Sequence, residues 1–154
     1  MSKQLIVAVF GSADLARRAA NDFDALSEKN EGFTIDNGVV VERDAAGKLA
    51  VLDAQARPFR GGAIGAIGAI AGALLGLLAG PLGVVTGFAA GAGAGVLADA
   101  AGSALLDGRF VESVAATLAP GSAAVILEAK EATPFSVDNV VTGFGGKVMR
   151  HALG

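Results

Sequence analysis

The sequence predicts an α+β domain interrupted by a pair of wholly apolar helices. Three observations carry that reading. Short continuous apolar runs alternate with amphipathic stretches toward both ends of the 154 residues. No Asp, Glu, Lys, Arg or His occurs between Arg60 and Asp99. Of the 23 glycines, 12 fall within residues 61–98, where they alternate with Ala, Ile, Leu and Val rather than with Ser, Pro or Gln. That composition points to close helix packing and not to a flexible linker.

Residues 4–10 read as a buried strand, centred on Leu5-Ile6-Val7-Ala8-Val9-Phe10. Ser12 is a good N-cap for a helix over 13–29. Leu15, Ala19, Phe23 and Leu26 recur there at helical spacing. Asp14, Arg17, Arg18, Asp22, Asp24 and Glu28 between them make a solvated face. Residues 38–43 read as a second strand, Asp44-Ala45-Ala46-Gly47 as a hairpin turn, and 48–54 as the returning third strand.

Beyond the apolar stretch, Phe110, Val111, Val114, Ala115 and Leu118 form the stripe of another helix, with Asp107 near its start. Pro120-Gly121 stops it, and 122–129 give a further buried strand. Thr133 as N-cap and Pro134 at the first helical position open a short helix, which Gly145-Gly146 ends. Residues 147–153 make the last strand. The first six elements outside the apolar stretch match a ferredoxin-like β-α-β-β-α-β unit, with an extra C-terminal helix and strand extending its sheet. Residues 1–60 and 100–154 then form one α+β domain, and 61–99 form the inserted glycine-zipper hairpin.

The glycine spacing is the sharpest local signal. Gly68, Gly72, Gly76 and Gly80 lie four apart, Pro81 breaks the stretch, and Gly83, Gly87, Gly91 and Gly95 repeat the ladder. Residues four apart share one helix face, so each arm shows a bare groove where another backbone can approach. Each arm of ~18 residues is about 27 Å long, against roughly 30 Å for a bilayer's hydrocarbon core. Interior glycine costs about 0.8–1.0 kcal/mol relative to Ala, so eight sum to roughly 6–8 kcal/mol. Close helical neighbours must offset that. These are the residues expected to drive helix packing and oligomerisation, with Pro81 at the turn.

Catalytic chemistry is poorly represented. Without cysteine there is no thiol nucleophile or thiolate metal site. His151 is the lone histidine, and no His/Asp/Glu cluster has metal spacing. Gly91-Ala92-Gly93-Ala94-Gly95 lacks the Lys-Ser/Thr ending of a phosphate loop. No basic run, Trp or Tyr supports nucleic-acid binding at a net charge of −3. No enzymatic activity, cofactor, metal or small-molecule substrate is therefore expected.

The chain resembles a bacterial and archaeal family of unknown function, often labelled predicted membrane proteins and sometimes tied to general stress responses. The resemblance rests on Leu5–Phe10, on Val39-Val40-Val41 through Gly47, and on the glycine-rich insertion. It continues through Leu118-Ala119-Pro120-Gly121-Ser122-Ala123-Ala124 and Gly145-Gly146-Lys147-Val148, the Pro-Gly-Ser-Ala and Gly-Gly-Lys-Val segments being the most specific. It implies no catalytic residue. The expected function is that of a self-associating protein whose hairpin enters the inner membrane, with the lipid bilayer and further copies of itself as partners. The folded domain and both termini are then cytoplasmic, since Asp14, Arg17 and Arg18 follow the first apolar run too soon for a secretory signal. The alternative is a cytoplasmic, soluble homo-oligomer (cage, ring or filament) with the hairpins packed inside. A third reading, a ligand-binding or enzymatic domain with an incidental anchor, needs a polar pocket that the sequence does not display.

Overall fold

A computed structural model describes residues 3–29, 32–52, 70, 74 and 108–153. Within them the chain forms β1 (Lys3–Phe10), α1 (Ala13–Lys29), β2 (Phe33–Arg43), β3 (Leu49–Val51), α2 (Gly108–Thr117), β4 (Ala123–Glu131), α3 (Phe135–Gly143) and β5 (Lys147–Ala152). The architecture is mixed α+β: one five-stranded antiparallel sheet with three helices.

The sheet order is β3-β2-β4-β1-β5. β1 and β4 hold the interior because both are apolar on both faces, and residues 5–10 and 123–127 are buried without interruption. This corrects the expected strand arrangement. A ferredoxin-like unit made of the first six elements places β3 between β1 and β2. Instead β3 is a three-residue edge strand bonded to β2 alone, and β4 separates β1 from β2. Ala50 of β3 is exposed, so the segment lacks the two apolar faces an inner strand requires.

β2 begins five residues earlier than expected because of a bulge. Ile35 pairs with Ala129 and Asn37 with Glu128, which leaves Asp36 as the extra residue. The insertion reverses the alternation along the strand. Phe33 and Ile35 before it, and Val40 after it, therefore pack into the same cluster despite opposite parity. Lys3 Nζ lies 3.5 Å from the Asp36 carboxylate and 3.7 Å from Glu128. Ser27 Oγ accepts the Ile35 N–H at 3.2 Å and ties the bulge to the end of α1.

α1 keeps its expected limits. Ser12 caps it by accepting the Leu15 N–H at 3.2 Å. Ala16, Ala19, Ala20 and Phe23 are buried, with Val137 and Val141 of α3, on the face lined by Ile6, Ala8, Phe10 and Val125. At α3 the helix starts one residue later than expected: Pro134 takes the cap position, and Thr133 Oγ1 accepts the Phe135 N–H at 3.2 Å. Gly146 follows with its Cα against the sheet. A Cβ there would lie 2.7 Å from the Phe10 ring and from the Val9 carbonyl oxygen, so only glycine fits.

Candidate functional site

The second face of the sheet is where the apolar insertion meets the folded domain. Its floor is Leu5, Val7, Val9, Val39, Val41, Leu49, Ala124 and Ile126. α2 covers part of it through Val111 and Val114, and Leu118, just past its end, continues the i, i+3, i+7 stripe. Ile70 and Leu74 cover more. Both are helical, both are 0% exposed, and both pack into the same cluster as the sheet. Four residues apart, they sit one above the other on a single helix face. The uncharged stretch is thus held to its own domain at these two positions.

Arg43 fastens the cover in place. Its Nη1 donates to the Leu118 carbonyl at 3.0 Å and its Nε to Gly47 O at 3.1 Å. A cation at the end of α2 complements the unpaired carbonyls there. Gly47 (φ +88°) and Gly121 (φ +88°) make the two turns that bring these groups together, and Gly121 N donates to Arg43 O at 2.6 Å. Along the β5 border, the Phe110 ring stacks on His151 with centroids 5.1 Å apart. His151, lone in sequence, is thereby placed against the cover helix.

A second cluster clamps the first face. Glu131, whose side chain is 4% exposed, accepts from Gln4 Nε2 and from Arg150 Nε, each at 2.5 Å. Arg150 Nη2 reaches Asp138 Oδ1 at 2.7 Å and the Pro134 carbonyl at 3.4 Å. The Glu131 carboxylate and the Arg150 guanidinium together join β1, β4, β5 and α3. Burial lowers the Arg150 pKa, but the hydrogen bonds and charges of Glu131 and Asp138 outweigh it and raise the pKa above its ordinary value. A raised pKa contributes stability that is present below the unfolded value, so the clamp holds its cation throughout the accessible pH range.

Local periodicity carries no signal for this clamp, because its members come from positions 4, 131, 138 and 150. The seat of Ile70 and Leu74 is equally hidden, since the glycine spacing marks one face of the uncharged stretch but does not single out which of its many Ala, Ile, Leu and Val residues meet the sheet. The expected packing residues Gly68, Gly72, Gly76, Gly80, Gly83, Gly87, Gly91 and Gly95, and Pro81 at the turn, lie outside the described residues. So does Asp107. Among the described residues no group of three or more His, Asp or Glu side chains is placed to hold a metal ion.

The expectation of a membrane-crossing helix is corrected. Among the described residues, no helix is long and apolar enough to cross a membrane. The described positions within the apolar stretch, Ile70 and Leu74, are spent on covering the sheet.

Residues 57–154, from before the uncharged stretch to the end of the chain, match the family described as "Protein of unknown function (DUF1269)". The chain belongs to this family. The matched region contains the stretch with Ile70 and Leu74, α2, β4, α3 and β5, whereas β1, α1, β2 and β3 precede it. No curated protein and no solved structure matches the chain.

Proposed function

We propose that this chain is a non-enzymatic, self-associating protein whose uncharged stretch forms a two-sided layer. Its aliphatic side seals the sheet, and its glycine side packs on another copy. The burial of Ile70 and Leu74 on the second face carries this reading. Ile70 and Leu74, four apart, share one side of a helix, and the four-residue spacing of Gly68, Gly72 and Gly76 in the sequence gives the reading its second side.

Space on the sheet argues for a second copy. Five strands at about 4.8 Å spacing span roughly 19 Å, which is room for two helices of about 10 Å diameter. α2 and the segment holding Ile70 and Leu74 share that width. The uncharged stretch offers no charged residue from 61 to 98, and an identical stretch from another copy is the surface that matches it.

We also read β1-α1-β2-β4-α3-β5 as the ferredoxin-like unit, with β3, the uncharged stretch and α2 inserted between β2 and β4. The support is the order β2-β4-β1-β5, in which each helix-linked pair is split by one antiparallel strand. The insertion in this reading covers the face that α1 and α3 leave open.

Light scattering on detergent-free protein tests the function. A defined multimer that Gly72→Leu and Gly87→Leu reduce in mass is the expected result. A species whose size depends on detergent, or variants that assemble normally, would contradict it.

A further inference from the structure

We propose that the outer edge of β5, with Phe135 beside it, is a two-fold interface with a second copy of this chain. The surface is separate from the glycine ladder and goes beyond the function proposed above.

β5 is the last strand of the sheet and pairs on one side with β1. Leu153 N donates to Lys3 O at 3.1 Å, so antiparallel alternation turns the backbone groups of 147, 149, 151 and 153 toward β1. Those of Val148, Arg150 and Ala152 point outward, and no described strand pairs with them. The opposite edge is guarded in a familiar way, because β3 has only three residues. β5 has six, with no proline within it.

Charge on an edge strand normally prevents pairing. Arg150 does not act as such a guard. Its guanidinium is drawn onto the first face by Glu131 at 2.5 Å and Asp138 at 2.7 Å, where two carboxylates compensate it. The remaining charge on the strand is Lys147, at its start. Antiparallel pairing centred on Arg150 sets Val148 of one copy opposite Ala152 of the other. All three outward residues of each copy are then satisfied. The two Lys147 side chains fall at opposite ends, roughly 20 Å apart at about 3.4 Å per residue, well beyond a Debye length of about 8 Å.

A second observation marks the same place. Among the described large hydrophobic side chains, Phe135 is the exposed one, at 74%. It directly follows Pro134, whose carbonyl accepts from Arg150. The exposed ring therefore stands at the start of α3, beside the residue on which the two-fold axis is centred. The same operation that pairs the edges brings both α3 N-termini together on the first face and gives each Phe135 an apolar neighbour.

Hydrogen exchange on the full chain at two protein concentrations tests the proposal. The amides of Val148, Arg150 and Ala152 are expected to exchange at least about tenfold more slowly at the higher concentration. Those of Met149 and His151, bonded to β1, serve as references that do not move. Ala152→Pro removes an outward donor and spares the bonds to β1. Phe135→Asp places a charge at an exposed helix start, where it is tolerated. Each is expected to lower the particle mass about twofold and to restore fast exchange at the remaining outward amides. Gly72→Leu leaves this protection in place, so the two surfaces fail separately. Fast exchange at all three amides at both concentrations would overturn the interface. So would Ala152→Pro and Phe135→Asp variants that both keep the parent mass and protection.

Discussion

The first face of the sheet is covered by two amphipathic helices, whereas the second is covered by one amphipathic helix, α2, together with an uncharged segment. On the first face, α1 and α3 bury Ala16, Ala19, Ala20, Phe23, Val137 and Val141. The outer side of α1 carries charge, with Asp14 and Arg18 forming an exposed i, i+4 pair at 3.1 Å. Away from Phe135, that face ends in charged and polar side chains. On the second face, Ile70 and Leu74 are buried just as completely, yet the segment they belong to holds no charged residue from 61 to 98. The contrast separates two questions: burial of one side attaches a helix to the sheet, and the composition of the remainder bears on the partner proposed above.

The largest expected effect asks whether both covers are true core. Phe23→Ala on the first face is expected to cost about 3–5 kcal/mol, and Leu74→Ala on the second about 2–5 kcal/mol, by urea unfolding. A cost near zero for Leu74→Ala would detach the uncharged stretch from the sheet and remove the comparison. The clamp on the first face comes next. Glu131→Gln keeps the Gln4 contact but strips the principal counter-charge from Arg150, a loss of about 2–3 kcal/mol, moderated by Asp138. Gly146→Ala is expected to cost about 1–3 kcal/mol, because its Cβ meets Val9 O and the Phe10 ring. Gly143→Ala, with open space around its Cβ, is expected to be neutral or to stabilise by up to about 1 kcal/mol. A matched pair of losses would show that the turn into β5 is not tightly packed.

How much of this was legible depended on the range of the cause. β1 and α1 follow from neighbouring residues, an unbroken apolar run and a Ser12 cap, and their limits match closely. The turn at Asp44–Gly47 pairs β2 with β3 but says nothing about which strand lies on the other side of β2. That place goes to β4, about eighty residues on, through the two-faced apolarity of 123–127. The start of β2 was hidden because the bulge at Asp36 breaks the alternation that identifies a strand. Arg150, Glu131 and Asp138 meet only once β4, α3 and β5 are assembled. The seat of Ile70 and Leu74 was invisible for a different reason. The glycine spacing marks one side of the segment, but it does not say which aliphatic residues the sheet takes, and only the assembled second face identifies Ile70 and Leu74.

The proposed second copy on the uncharged stretch makes the strongest demand on the molecule in solution. Sedimentation of detergent-free protein, run side by side for the parent and Gly72→Leu, tests it most directly. A discrete multimer is expected for the parent and a smaller, still folded species for the variant. A parent that sediments as a monomer, or a variant that sediments identically, would contradict it.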